Sequence, residues 1–246
     1  MATAGELIRL TADALQVPEA TVTSYHRMLR EAGLLTKGGR GRNAPQMSEI
    51  DVARLLLAML GADSLAEAVA ATELVSELSS PTPVDFSDET SILTLDGEEG
   101  PIEIDPATVY YDPEDEPIEL EEAVARLLSQ VRDLSEGRKP ATERLPFIGF
   151  LTSWNVSLSV TPTSLTAVIE ADGSSLEFDS PSTKGSIIYP DEWMNLPVRE
   201  RLIARAEISG IEIRRSVGWA AIRKLAEALP KASAAIELGV RQGGKS

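Results

Sequence analysis

The stretch LTADALQVPEATVTSYHRMLREAGLL, residues 10–35, contains the strongest secondary-structure signals in the N-terminal part of the chain. Apolar residues at helical spacing predict a short first helix that ends at Gln16-Val17. Pro18 suits the first position of a helix because its missing N–H would have no partner there, so a second helix is predicted at residues 18–32. Gly33 provides the left-handed conformation that ends many helices.

The second helix has an inward and an outward face. Val22, His26 and Leu29 point inward, so His26 is expected to be a packed or hydrogen-bonded core residue. Tyr25 is expected either at the rim of the core or stacked on a sugar. Small and hydroxyl side chains followed by arginines can enter a major groove and reach phosphate or a guanine edge. The candidate contact residues on this helix are Thr21, Thr23, Ser24, Arg27 and Arg30.

A basic, glycine-rich tip follows the second helix. A short apolar strand is predicted at Leu34–Thr36, leading into KGGRGRN at residues 37–43. The tip adds Lys37, Arg40, Arg42 and Asn43 as candidate contacts to phosphates or a narrow minor groove. Taken alone, the tip can equally be an ordinary solvated turn. Residues 19–46 carry 5 basic and 2 acidic residues, so the local charge is positive.

Residues 10–35 resemble the winged helix-turn-helix pattern of the GntR, MarR and ArsR types of bacterial regulator. In that pattern a short helix ends in Leu-x-Val, a Ser/Thr-rich recognition helix follows, and Gly-Leu-Leu leads into a wing; the GGRGRN tip is similar to the wing of GntR proteins. The resemblance implies double-stranded DNA as a partner. Two departures are Pro18, where the family usually has a capping Ser, and the lack of the usual preceding helix at full length.

The formal net charge of -16 is concentrated in the middle of the chain. Between Ser79 and Glu122 there are 15 acidic residues and 6 prolines but no Lys or Arg. Like-charge repulsion predicts an extended, partly disordered linker, which is either a solvated spacer or a pseudo-substrate for a basic surface. Three short apolar pieces can still dock as strands: Ile92–Leu95, Ile102–Ile104 and Val109–Tyr111.

Two further helices are predicted before this acidic segment. Ser48-Glu49-Ile50-Asp51 and Ser64-Leu65-Ala66-Glu67 both resemble capping boxes. The helix at residues 48–60 is too apolar for an isolated surface helix, so it either packs on the winged core or forms a dimer interface. A dimer would place two recognition helices on half-sites one helical turn apart, which makes a homodimer the favoured oligomer.

The C-terminal half is predicted to combine helices with an antiparallel sheet. An amphipathic helix is expected at residues 117–134, with Leu120, Val124, Leu127, Leu128 and Val131 on one stripe. Asp172-Gly173 predicts a hairpin. The predicted strands are Phe147–Leu151, Trp154–Val160, Leu165–Ala171, Ser175–Phe178, Ser186–Tyr189 and Ile211–Ile213, and the final helices are Val198–Ile208 and Val217–Leu229.

The predicted fold class is therefore α+β in three parts. Residues 1–78 form a winged helix DNA-binding domain, residues 79–116 the acidic linker, and residues 117–246 an α+β domain that dimerises or binds a protein partner. No signal peptide or membrane-spanning segment is expected, which favours a bacterial cytoplasmic protein.

The composition argues against most catalytic chemistry. With no Cys and one His, the chain lacks the residues for thiolate chemistry or a multi-histidine metal site. The acidic pairs Asp191-Glu192 and Glu170/Asp172 fall in turns or at hairpin ends. The protein is therefore expected not to be an enzyme and to need no cofactor, metal or catalytic residue. A possible second basic surface for DNA, a protein or the acidic linker consists of Arg199, Arg205, Arg214, Arg215, Arg223 and Lys224.

Three functional hypotheses follow from these observations. The favoured one is a sequence-specific DNA-binding protein, a bacterial or phage transcription regulator. The alternative is a phage DNA-packaging or replication adaptor, similar to a small terminase, that oligomerises and delivers DNA to a motor. A dimer would favour the regulator and a large ring the adaptor. A third class, a small-molecule-sensing domain fused to a winged helix, would show an apolar cavity in the C-terminal half.

Overall fold

The computed structural model describes residues 3–37, 46–80, 93–97, 100–104, 117–137, 156–162, 164–171, 174–179, 197–208, 214–227 and 229, with only the backbone course at 93–97, 100–104, 174 and 204–208. The helices in these ranges are α1 (Ala4–Leu15), α2 (Glu19–Ala32), α3 (Glu49–Gly61), α4 (Ala68–Ser76), α5 (Leu120–Ser135), α6 (Val198–Ile208) and α7 (Trp219–Glu227). The strands are β1 (Leu93–Gly97), β2 (Gly100–Ile104), β3 (Val156–Thr161), β4 (Thr166–Ala171), β5 (Ser174–Asp179) and β6 (Arg215–Gly218). The predicted α+β class is confirmed.

Local signals define the first two helices. α1 begins with a capping box, in which the Glu6 N–H donates to Thr3 Oγ1 (3.4 Å) and the Thr3 N–H donates to the Glu6 carboxylate (2.8 Å). It ends at Gln16, where φ is 55°. The predicted stop of α2 at Gly33 is confirmed, with φ at 88°. α1 spans 12 residues and is longer than the short helix expected.

The capping box predicted for α3 is confirmed, because Ser48 Oγ accepts a hydrogen bond from the Asp51 N–H (3.1 Å). The one predicted at Ser64 is wrong. Ser64 makes no side-chain cap hydrogen bond, and the chain passes through a 3₁₀ turn at Leu65–Glu67 into α4.

The predicted strand at Leu34–Thr36 is also wrong. These residues form irregular backbone in which Leu35 is buried in the core. The Thr36 N–H donates to the carboxylate of Asp51 on α3 (2.7 Å) in place of a neighbouring strand. The tip with Arg40, Arg42 and Asn43 lies outside the described residues.

The two ends of the acidic linker are hydrogen-bonded to each other. The Ser80 N–H donates to the Ile118 carbonyl (3.0 Å), and the Leu120 N–H donates to the Leu78 carbonyl (2.7 Å). Between these ends, β1 and β2 form a two-stranded antiparallel hairpin. Two of the three apolar pieces therefore supply strands, whereas Val109–Tyr111 fall outside the described residues.

The C-terminal sheet has the strand order β5-β4-β3-β6 and is antiparallel throughout. Ala171 pairs with Ser174, which confirms the predicted hairpin connection of β4 to β5. The predicted start of the last helix at Val217 is wrong, because Val217 pairs with Leu158 of β3 and α7 begins at Trp219. The strands predicted at Phe147–Leu151, Ser186–Tyr189 and Ile211–Ile213 lie outside the described ranges.

One hydrophobic core joins the N-terminal helices to the C-terminal elements. α3 packs against α5 and α1 against α7, and their buried side chains lie in the same cluster as those of the sheet. α3 thus packs within its own chain, against α4 and α5 as well as α2; a dimer interface on this helix stays a prediction. The division into domains at residues 78 and 117 stays a prediction. Within the described ranges, no helix is long and apolar enough to cross a membrane.

Candidate functional site

α2 presents an exposed row of side chains opposite its buried face. We call Ala20, Thr23, Arg27 and Arg30 the outward row; all four are exposed and are spaced three or four residues apart. The buried residues of the helix are Val22, His26 and Leu29, as predicted. Packing of this inner face holds the helix in place, so the outward row is available for contacts with another molecule.

The hydroxyl groups of α2 bond to their own helix. Thr23 Oγ1 donates to the Glu19 carbonyl (2.8 Å) and Ser24 Oγ donates to the Ala20 carbonyl (2.9 Å). Thr21 and Ser24 are half-buried, whereas Thr23 is exposed. Each hydroxyl oxygen retains lone pairs that can accept a further hydrogen bond. Thr23 is therefore the hydroxyl best placed to meet a partner.

The cations near α2 have few competing partners. Arg27 Nε lies 3.7 Å from Glu31 Oε1, with side chains 70% and 66% exposed, and such an exposed pair contributes little stability. Arg30 and Lys37 are exposed and make no ion pair within the described part of the chain. The Lys37 ammonium lies beside Gly33 at the end of α2. Lys37 therefore extends the basic surface of α2 past its C-terminal end.

His26 and Tyr25 belong to the interior side of the helix. Burial lowers the pKa of His26 below its ordinary value, and the nearby Arg30 lowers it further. Burial raises the pKa of the half-buried Tyr25. Both side chains are therefore neutral at pH 7, and Tyr25 packs against the core rather than standing on the exposed surface.

Asp51 binds both ends of the segment that carries the glycine-rich tip. Its carboxylate accepts the Thr36 N–H (2.7 Å), the Thr36 hydroxyl (2.8 Å), the Ser48 N–H (2.8 Å) and the Ser48 hydroxyl (2.9 Å). We call these three residues the loop anchor, and residues 37–47 the basic loop. Burial alone would raise the pKa of Asp51, but the hydrogen bonds outweigh it and hold the pKa below the ordinary value.

Arg54 holds the chain just before the basic loop. Its Nη1 donates to the Leu34 carbonyl (2.7 Å). Its Nε and Nη2 donate to the two carboxylate oxygens of Glu121 on α5 (2.7 and 2.9 Å). A two-bond arginine–carboxylate pair fixes orientation as well as distance. α3 thus contacts the approach to the basic loop at two residues, Leu34 and Thr36.

Most cations of the second predicted basic surface contact other parts of the chain. Arg215 donates to the carbonyls of Leu60 (2.9 Å) and Ala62 (3.0 Å) at the end of α3 and pairs with Asp63. Lys224 pairs with Asp13, Arg199 with Glu77 and Arg223 with Glu227, and Arg214 donates to Ser159. The side chain of Arg205 is outside the described set. The contacts of Arg199, Arg215 and Lys224 link the C-terminal elements to the N-terminal helices. Those of Arg214 and Arg223 stay within the C-terminal elements.

A groove of about 630 Å³ lies where the two halves of the chain meet. Leu15 at the end of α1, Met59 on α3 and Trp219 on α7 contribute apolar walls, and β6 lines one side. The groove is therefore at the junction and not within the C-terminal half, where the sensing hypothesis expects a cavity. Among the residues that the structure describes, no group of three or more His, Asp or Glu could hold a metal ion.

Thr36 and Arg54 were not expected as parts of the site. The capping pattern at Ser48 marks Asp51 as a helix cap, but nothing in the sequence connects Asp51 to Thr36, 15 residues earlier. The pairing of Arg54 with Glu121 spans 67 residues and has no local signal. Only the packing of α3 against its neighbours brings these groups together.

Comparisons of the chain with protein-family models, with curated proteins and with solved structures found no match.

Proposed function

We propose that this protein is a sequence-specific double-stranded DNA-binding protein, a bacterial or phage transcription regulator. In this proposal α2 is the recognition helix in the major groove and the basic loop is the wing. The observation that carries the proposal is the outward row of α2. Its residues Thr23, Arg27 and Arg30 are exposed, and the exposed Lys37 continues the basic surface past the end of the helix. The ion pair of Arg27 with Glu31 is itself exposed.

The local charge supports DNA as the partner despite the acidic chain. Residues 32–48 contain Lys37, Arg40 and Arg42 and no acidic residue. Screening at physiological salt acts over about 8 Å, so a phosphate close to this surface meets the local charge more than the distant acidic linker. A net charge of -16 is therefore compatible with DNA binding at this surface.

The side chains suggest a division between base and phosphate contacts. Thr23 and Arg27 are on the middle of the exposed face, where a helix in the major groove meets base edges. Arg30 and Lys37 are at the C-terminal end of α2, where the helix leaves the groove and phosphates are within reach. We assign sequence preference to the first pair and general affinity to the second.

Selection of bound duplexes from a random pool, using the full chain, tests the proposal. Wild-type protein should enrich one consensus, with two-fold symmetry if a homodimer binds. Arg27→Ala should relax the consensus at one or two positions, a loss of about 1–3 kcal/mol of discrimination. Arg126→Ala is the matched control, because Arg126 also forms an i,i+4 pair with a glutamate but lies on α5. Absence of any enriched sequence would refute sequence-specific binding.

A further inference from the structure

The C-terminal end of α2 determines where two of the exposed cations lie. Gly33 ends the helix with φ at 88°, and the Leu34 N–H donates back to the Leu29 carbonyl (2.9 Å). Arg30 is in the last turn before this end, and the Lys37 ammonium lies beside Gly33. A displacement of the backbone at residues 33–34 would therefore move both cations relative to the rest of the outward row.

Arg54 on α3 holds this end of α2 through the backbone of Leu34. Its Nη1 donates to the Leu34 carbonyl (2.7 Å), which lies outside any helix or strand. Its Nε and Nη2 donate to the two carboxylate oxygens of Glu121 (2.7 and 2.9 Å). Because the guanidinium is planar and rigid, the pair with Glu121 fixes the direction in which Nη1 meets Leu34. We call Leu34, Arg54 and Glu121 the Arg54 clamp.

The carboxylate that orients Arg54 is itself held in place. Glu121 lies in the first turn of α5, where the helix dipole favours a negative charge. The preceding Leu120 is fully buried, and its N–H donates to the Leu78 carbonyl (2.7 Å). The side chains of Arg54 and Glu121 are 31% and 16% exposed, so salt screens this pair less than the exposed pairs of the surface.

We propose that Arg54, oriented by Glu121, is a positioning residue that holds the C-terminal end of α2 so that Arg30 and Lys37 meet the same partner surface. This inference rests on the proposed function for the identity of the partner. The Arg54 clamp itself does not depend on DNA and is testable without it.

Nuclear magnetic resonance of the full chain tests the clamp in the absence of DNA. In the wild-type chain the Arg54 Nε–H should exchange with water at least tenfold more slowly than that of an exposed arginine, because Glu121 accepts it. Arg54→Lys keeps the charge but cannot form the two-bond pair, and it should shift the Leu34 carbonyl resonance. An unprotected Arg54 Nε–H in the wild-type chain would overturn the proposal.

Glu121→Gln is the milder variant, and Glu122→Gln is its matched control. Both substitutions remove one negative charge from the first turn of α5, so their general effect on the attraction of DNA is matched. Glu122 pairs with Arg126 on its own helix and does not contact Arg54. Glu121→Gln should accelerate exchange of the Arg54 Nε–H several-fold, whereas Glu122→Gln should leave it unchanged.

Duplex affinity distinguishes positioning from a role in stability alone. Glu121→Gln should bind duplex about threefold more weakly than Glu122→Gln, with a salt slope lower by about 1 and an unchanged consensus, as loss of phosphate contacts predicts. In the Arg30→Ala/Lys37→Ala background, the two variants should bind equally.

Two results would overturn the positioning role. One is equal duplex affinity of Glu121→Gln and Glu122→Gln in the otherwise wild-type chain, and the other is the same difference between them in both backgrounds. A chain that protects its Arg54 Nε–H but binds no duplex would refute the proposed function, and with it the role of Arg54 in DNA binding, while the clamp would stand.

Discussion

Asp51 carries its charge inside the protein because four donors from Thr36 and Ser48 surround it. Its pKa is below the ordinary value for this reason, although burial acts in the opposite direction. The folded chain therefore resists protonation of Asp51 at a pH where the unfolded chain already binds the proton.

The stability contributed by Asp51 should be complete above about pH 4, the ordinary range of an aspartate, and should be lost as the pH falls below it. At pH 7, Asp51→Asn should lower the free energy of unfolding by about 1.5–3 kcal/mol, the range for hydrogen bonds to charged groups. The difference in the free energy of unfolding between the wild-type chain and Asp51→Asn should therefore decrease as the pH falls. Urea unfolding between pH 7 and pH 3 measures this difference. A difference that does not change with pH would contradict an ionised Asp51 in the folded chain.

Side chains whose environment is local could be predicted from sequence, and those with distant partners could not. His26 was expected in the core from helical spacing alone, and it is 5% exposed. Arg215 was expected on a basic surface, but it pairs with Asp63 and caps α3 at a sequence separation of about 150 residues. No pattern near Arg215 reports that contact.

The basic loop contributes two arginines that are predicted to contact phosphates. Arg40→Ala with Arg42→Ala should weaken binding to every duplex and reduce the slope of log affinity against log salt by about 2, one unit per phosphate contact. Fluorescence anisotropy over a range of salt concentrations measures the slope. An unchanged slope would remove the loop from the interface, while α2 could still bind.

The contrast between local and distant signals also explains which secondary-structure elements could be predicted from the sequence. Gly33 ends α2 as predicted, whereas Pro18 is the N-cap with φ at -57° and ψ at 135°, so the helix begins at Glu19, one residue later than predicted. The strand β6 was not predicted because Val217 is extended only through pairing with Leu158, 59 residues earlier. The segment Leu34–Thr36 is apolar enough for a strand, but α3 supplies its hydrogen-bond partners.

The acidic linker can be deleted because the residues on either side of it already contact each other. Residues 81–116 carry 12 acidic residues and no basic ones, and the flanking Ser80 and Ile118 are joined by hydrogen bonds. Removing these residues should raise duplex affinity several-fold at low salt if the linker competes with phosphate, and the gain should fade as salt increases.

A neutral Gly/Ser segment of equal length is the control for this deletion. It keeps the connection and removes only the charge, so it should reproduce the gain in affinity. If the neutral segment binds DNA no better than the wild-type chain, the linker is a spacer and not a competitor.

The shared core predicts that the N-terminal helices depend on the rest of the chain. Leu55, Leu56 and Leu57 on α3 are at most 1% exposed, and α5 packs against this helix. A fragment of residues 1–80 would expose part of this apolar surface and should lack a cooperative urea transition by circular dichroism. A cooperative transition would instead support the division into separate domains.

The salt dependence of duplex affinity shows whether the surface formed by α2 and the basic loop binds duplex DNA. For the full chain, log affinity should fall linearly with log salt with a slope of about -3 to -4 per protomer, since four cations, Arg30, Lys37, Arg40 and Arg42, would meet phosphates. Arg30→Ala should reduce that slope by about 1, whereas Arg126→Ala should not. Absence of binding at low salt, or an affinity that does not change with salt, would show that this surface does not bind DNA.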